Sequence, residues 1–166
     1  MFESYTEKAR RVIFFARFEA SRYGTPQIDT DLLLLGLVRE NLALLNRFLV
    51  PEASDETLRD QVLAHTPMRE SIPTSVDLPL SNGCQRVLAY AAEEAGRMGH
   101  KHIGPEHLFL GLLRERHSFA AKMLRERGAN IGVIRKKLAA GPAPEFTDRS
   151  PRNPRPLSAA DLDEYT

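Results

Sequence analysis

The sequence predicts an all-α domain of eight helices, built as two four-helix repeats in a pseudo-twofold arrangement. Three observations carry that expectation. Residues 5–49 and 80–124 align without a gap at an offset of 75 residues, apolar positions recur at helical spacing in both copies, and cap and stop residues fall at matching places. The first copy reads YTEKARRVIFFARFEASRYGTPQIDTDLLLLGLVREN and the second LSNGCQRVLAYAAEEAGRMGHKHIGPEHLFLGLLRER. Gly24 meets Gly99, Leu35-Gly36-Leu37 meets Leu110-Gly111-Leu112, and Arg39-Glu40 meets Arg114-Glu115. A unit that cannot bury its own apolar face is stabilised by its copy, and two copies make a pseudo-symmetric domain rather than a solenoid.

The first helix spans residues 6–23, with Ala9, Val12, Ile13, Ala16, Ala20 and Tyr23 at the i, i+3, i+4, i+7 spacing of an amphipathic helix. Its copy carries Cys84, Val87, Leu88, Ala91, Ala95 and Met98. Thr6 and Ser81 stand where N-caps belong, and Gly24 and Gly99 read as stops because glycine takes the left-handed conformation cheaply. Second helices begin near Thr30, read as an N-cap, and near Pro105, read as a first helical residue. Asp31 and Glu106 place a carboxylate in each first turn, where the helix dipole favours it. The bodies Leu32 to Leu35 and Leu108 to Leu110 are almost wholly apolar, so these helices should be buried; the lack of β-branched residues argues against strands. Further helices fit 42–49, 54–64, 117–127 and 131–139, with Gly128 as a stop and Asn130 as a cap.

The domain therefore covers residues 1–140: repeat one 2–64, a connector 65–79 holding Pro67, Pro73 and Pro79, and repeat two 80–140. Residues 141–166 carry five prolines and few apolar side chains, and a disordered tail is expected there. A formal charge of +1 with both signs interspersed gives no basic stripe for nucleic acid or an anionic membrane. The N-terminus MFESYTEKARR lacks the apolar stretch of a signal peptide, and no apolar run approaches a membrane span. A cytoplasmic setting follows as the expectation. The lone cysteine, Cys84, aligns with Ala9 and reads as a small buried side chain rather than a reactive thiol.

Helix, glycine, short loop, carboxylate at a helix start and then LxLGLxRE resembles the double Clp repeat of the N-terminal domain of Clp-type AAA+ unfoldases. The segment AAEEAGRMGHKHIGPEHLFLGLLRE follows the family pattern nearly word for word, the first copy keeps YTEKARRVI and LLLGLVRE, and the likeness spans residues 2–139. The resemblance implies a domain that docks substrates or adaptor proteins for an ATPase. No GxxxxGK[ST] loop occurs, so nucleotide hydrolysis is not expected of this chain, which looks like a stand-alone Clp N-domain.

Four groups of residues are candidates for chemistry or binding. Thr6 with Asp31 and Ser81 with Glu106 each combine a helix start, able to receive an anion, with a carboxylate able to receive a guanidinium. The resemblance implies a phosphoarginine site here, since some family members bind that group through such acids, with Asp31 and Glu106 at the family's guanidinium-binding positions. Asp31 is one methylene shorter than the usual glutamate, Ser81-Asn82-Gly83 departs from the family start, and both acids equally serve their helix dipoles. His100, His102, His107 and His117 could in principle hold a metal, but their repeat partners Thr25, Gln27, Leu32 and Leu42 would not, so loop and capping roles are preferred and no metal or other cofactor is expected. Phe14 and Phe18 lie opposite the core stripe of helix one, where the copy has Ala89 and Glu93; they mark a partner surface unless the connector or tail covers them. Phe2 and Leu80 precede the two first helices and serve either as adaptor contacts or, for Phe2, as a hydrophobic staple.

No Ser-His-Asp or Cys-His context supports an enzyme. The leading expectation is a non-catalytic binding module of Clp protein quality control, whose partner is a Clp ATPase, an adaptor or a substrate segment. A phosphoarginine sensor and a self-associating protein with Phe18 at a dimer contact are the alternatives.

Overall fold

A computed structural model describes residues 4–141 of the chain. Its elements are α1 (Glu7–Tyr23), α2 (Thr30–Asn46), α3 (Asp55–His65), α4 (Asn82–Arg97), α5 (Pro105–Arg114), α6 (Phe119–Glu126) and α7 (Ile131–Ala140). The described residues thus hold seven helices where eight were expected, because the segment predicted over 42–49 continues from α2. The break is present all the same: Asn41 leaves helical geometry (φ −155°, ψ 72°), and its Oδ1 accepts from Leu44 N–H at 3.1 Å, capping the turn that follows. Phe2 and the expected tail from Pro142 onward lie outside the described residues.

The caps explain the other boundaries. Thr6 accepts from Ala9 N–H, Ser81 from Cys84 N–H, and Asn130 from Val133 N–H. Gly24, Gly99 and Gly128 all take positive φ after their helices. Thr30 is a first helical residue and not the cap expected of it; Asp29 caps α2, accepting from Thr30 N–H at 2.8 Å. That makes Thr30 the structural counterpart of Pro105, the first residue of α5.

Helices α2 and α5 form the centre, packed on each other, with α1 against α2 and α4 against α5. Residues 30–38 and 107–113 are buried throughout, which is why their sequences show no polar face. Gly36 and Gly111 permit the two closest crossings. A Cβ at Gly36 would stand 2.3 Å from Val12 O, and one at Gly111 2.5 Å from Val87 O, so the repeated LGL marks a helix contact without room for a methyl group. On α1 the buried face is wider than the predicted stripe. Phe15 is fully buried while Ile13 is only partly so, because Phe15 turns toward Arg39 on α2.

The two repeats are laced together by a reciprocal exchange. Tyr5 forms a parallel bridge with Ile103, and Leu80 forms one with Ile28, each pair being the other shifted by the repeat offset. Thr6 N–H donates to Ile103 O at 2.9 Å and Ser81 N–H to Ile28 O at 3.0 Å. The connector is held against the end of α1: Arg69 N–H donates to Tyr23 O, Ile72 N–H to Ser21 O, and Arg17 to the carbonyls of Thr74 and Val76.

Candidate functional site

The reciprocal bridges decide which helix-start residues meet. Within one repeat Thr6 and Asp31 sit at successive helix starts, but the bridges bring the start of α1 to the loop before α5 and the start of α4 to the loop before α2. Ser81 Oγ accordingly donates to Asp29 Oδ1 at 2.9 Å, and the Thr30 methyl lies 3.2 Å from a Cβ placed on Gly83. The corners are therefore Ser81 with Asp29 and Asp31, and Thr6 with the loop leading to Glu106. Sequence spacing had grouped them within each repeat.

The two carboxylates differ. Asp31 is buried and its Oδ2 lies 3.2 Å from His65 Nδ1, at the end of α3. Burial pushes the Asp31 carboxyl above the ordinary value, Asp29 adds to that, and His65 opposes it. The His65 ring in turn stacks on Phe119 at 4.0 Å and 3°, so Asp31 is tied to a cross-repeat contact. A small cleft of about 210 Å³ beside it is lined by Asp29, Asp31, His65, Thr66 and Arg69 among others. Glu106 is partly buried, and its Oε1 is shielded from solvent with no hydrogen-bond partner among the described residues. Thr6 and Ser81 are themselves buried as caps, each hydroxyl occupied by the backbone of its own helix.

Leu80 lines an open, largely apolar pocket of about 610 Å³ with Tyr5, Gln85, Leu88 and Ala89. It is walled by both repeats, since Tyr5 belongs to the first and the rest to the second. At the positions matching Gln85, Leu88 and Ala89 the first repeat has Arg10, Ile13 and Phe14. Phe14 is 37% exposed, its ring edge-on to Phe15. Phe18 is half-buried, with the Arg39 guanidinium 5.8 Å from its ring.

Cys84 is fully buried and burial pushes its thiol up to about 12, so it stays protonated at neutral pH. His107 is also fully buried. Its Nδ1 accepts from Gly104 N–H at 2.9 Å, which leaves Nε2 protonated and donating to His100 Nδ1 at 3.0 Å. Burial, and secondly His100, lowers its pKa to about 4. Gly104 has no side chain to cap α5, and His107 satisfies its N–H. Among the described residues no three His, Cys, Asp or Glu side chains are grouped to hold a metal ion, and no helix is long and apolar enough to cross a membrane.

Two carboxylates on the first helices of the repeats are withdrawn from solvent. Glu19 and Glu94, one per repeat, are both fully buried. Glu19 is bound by Arg59, with Arg39 at 3.8 Å and Arg22 at 3.9 Å. Glu94 takes Arg135 at 2.7 Å, Arg114 at 3.2 Å and Arg97 at 3.8 Å. Burial pushes the Glu94 carboxyl up, and the arginines outweigh it to hold it below the usual value. Each cluster clamps the last helix of its repeat, α3 or α7, to the first. The signal was available: Glu19, Arg22 and Arg39 recur at the repeat offset as Glu94, Arg97 and Arg114.

The Clp repeat (R) N-terminal domain family matches residues 4–139. The chain is 38% identical over 140 residues to the chloroplastic ATP-dependent Clp protease ATP-binding subunit ClpA homolog of Brassica napus, covering 83% of this chain and 16% of that protein. It is 38% identical over 140 residues to the chloroplastic chaperone protein ClpC1 of Oryza sativa subsp. japonica, covering 83% of this chain and 15% of that one. The chain thus spans about a sixth of the length of these relatives. Among solved structures, the N-terminal domain of ClpD from Arabidopsis thaliana aligns with a TM-score of 0.65 at 27% identity, covering 82% of this chain and 92% of that one. A ClpV N-domain in complex with a VipB peptide has the same fold, with a TM-score of 0.66 at 16% identity, covering 84% and 87%.

Proposed function

Because the chain belongs to the Clp repeat N-terminal domain family, we propose that it is a non-catalytic module that docks a protein segment, from a Clp ATPase, an adaptor or a substrate. The observation that carries this reading is the apolar pocket at the seam between the repeats, where Tyr5, Leu80, Leu88 and Ala89 leave about 610 Å³ open to solvent. A pocket of that size receives one or two large apolar side chains. The surrounding backbone is pinned by the two reciprocal bridges, so little ordering is needed on binding. Docking is then an equilibrium between preformed surfaces, with Phe14 as a further exposed anchor. Native co-purification of wild type against Leu80→Glu tests it: recovery of a Clp ATPase, adaptor or misfolded client should fall with the variant. Equal recovery by both proteins, or none of these partners with wild type, sinks the proposal.

One observation favours the sensor reading as a second. Glu106 Oε1, shielded and without a hydrogen-bond partner among the described residues, is an acceptor suited to a guanidinium, and the nearby start of α1 suits a phosphoryl group. Calorimetric titration of phosphoarginine into wild type and Glu106→Ala separates the readings. Identical heats for the two proteins would remove the sensor.

A further inference from the structure

A second cavity lies away from the seam, at the free end of repeat two, and it is basic. An open cleft of about 720 Å³ lies between the end of α5, α6 and the start of α7, with Arg114, Arg116, Arg125 and Arg135 on its walls and Tyr90 and Ile131 among its apolar lining. Arg114 and Arg135 are committed to Glu94, and Arg114 also meets Glu93 at 2.9 Å. Arg116 and Arg125 form no ion pair among the described residues; Arg125 only donates to the Arg116 carbonyl at 2.9 Å. The start of α7 adds to the positive potential, for its first turn holds no acid. Repeat one is compensated at the matching place. There α3 opens with Asp55 and Glu56, and Asn41 and Leu42 stand where repeat two has Arg116 and His117. The cavity therefore has two spare guanidiniums beside an apolar lining, and it is specific to the second repeat.

We propose that this cavity docks the chain's own acidic segment at residues 161–165. That segment carries three carboxylates, Asp161, Asp163 and Glu164, interleaved with Leu162 and Tyr165, which matches both the excess charge and the apolar lining. Its tether begins in the right place. Helix α7 supplies Ile131 and Arg135 to the cavity and ends at Ala140, about 15 Å from its start. A flexible chain of 19 residues, the number from 142 to 160, would reach roughly 24 Å. Such a tether gives an effective concentration on the order of millimolar, so weak contacts suffice. Arg149, Arg152 and Arg155 within it are repelled by the same site, which leaves the end of the sequence as the matching part. Docking there would make access to the cavity a competition between this segment and an acidic segment of another protein.

The test uses the full chain. Nuclear magnetic resonance spectra of wild type and Asp161→Asn/Asp163→Asn/Glu164→Gln should differ at the Ile131 and Gly132 amides and at the Arg116 and Arg125 side chains. High salt should remove the difference, and so should Arg116→Ala/Arg125→Ala, both exposed positions outside the Glu94 cluster. A synthetic peptide of residues 158–166 should bind the neutralised chain, and roughly tenfold or more weakly once the two arginines are gone. Unchanged signals around the cavity overturn the proposal. Differences that grow with protein concentration also overturn it, since they place the segment on a second copy.

Discussion

Replacing Glu94 with glutamine should loosen α7 and lower the stability of the whole domain. The carboxylate is fully buried and receives Arg135 through Nε at 2.9 Å and Nη2 at 2.7 Å, and Arg114 through Nη1 at 3.2 Å. Breaking a buried pair from one side costs about 3–5 kcal/mol, because the charge left behind is uncompensated. Here the charges left behind are guanidiniums with partial access to water. The Arg97 side chain is 61% exposed and its contact is worth little, while Arg114 keeps Glu93. The expected loss is therefore below that range, about 2–3 kcal/mol, or on the order of 8 °C in Tm for a domain of this size. Urea denaturation followed by circular dichroism measures it. Glu93→Gln is the control; its side chain is 55% exposed, and it should change stability by less than about 0.5 kcal/mol. Hydrogen exchange adds the location: α7 buries only Ile134 and Leu138, so its amides should open first. A loss under about 0.5 kcal/mol for Glu94→Gln, indistinguishable from the control, would refute the clamp. Since the folded Glu94 pKa is depressed, the clamp is at full strength at neutral pH and is lost as pH falls below the ordinary 4.5.

Gly36→Ala and Gly111→Ala should each destabilise despite alanine's helix preference of about 1 kcal/mol. The new methyl would meet backbone at 2.3 and 2.5 Å, and overpacking of about 1–3 kcal/mol or more exceeds that gain; a urea midpoint no lower than wild type would contradict the crossing. His107 makes stability fall with pH: its folded pKa of about 4 lies below the ordinary 6.5, so the unfolded chain binds the proton first. About 3 kcal/mol should be lost between pH 6.5 and 4, and His107→Leu, though weaker at neutral pH through loss of the Gly104 contact, should show a flatter melting profile across that window. Phe14→Ser should leave stability within about 0.5 kcal/mol of wild type, as expected of a surface position, yet reduce recovery of a bound partner; unchanged recovery would take Phe14 out of the docking surface.

Local signals in this chain were legible because they act locally. Thr6, Ser81, Asn130, Gly24 and Gly99 fix helix ends through bonds within a few residues, and the buried helices α2 and α5 announced themselves as unbroken apolar runs. A break before residue 42 was expected as well, and Asn41 supplies it: its backbone leaves helical geometry and its side chain caps the next turn. The site was less legible because its residues meet across the chain. Ser81 and Asp29 are 52 residues apart, and nothing in spacing distinguishes that pairing from one within a repeat. Glu19 and Glu94 were illegible for a related reason: nothing local shows that arginines on two other helices converge on each of them.

The reciprocal bridges also bear on how function can be divided between the repeats. Each half lends the residue just before its first helix cap, Tyr5 or Leu80, to the other half's loop at Ile103 or Ile28. Neither repeat alone would satisfy those backbone groups, so the halves must fold as one unit and cannot serve as separate modules. Two surfaces stand differently toward this coupling. The seam pocket belongs to both repeats by construction, because Tyr5 and Leu80 stand side by side there. The basic cavity lies wholly within repeat two, where Arg116 and His117 replace Asn41 and Leu42 without disturbing the shared Glu94 clamp. Duplication supplied the scaffold twice; the exchange made it rigid at the seam, and the outer end of the second copy was left free to acquire a different charge.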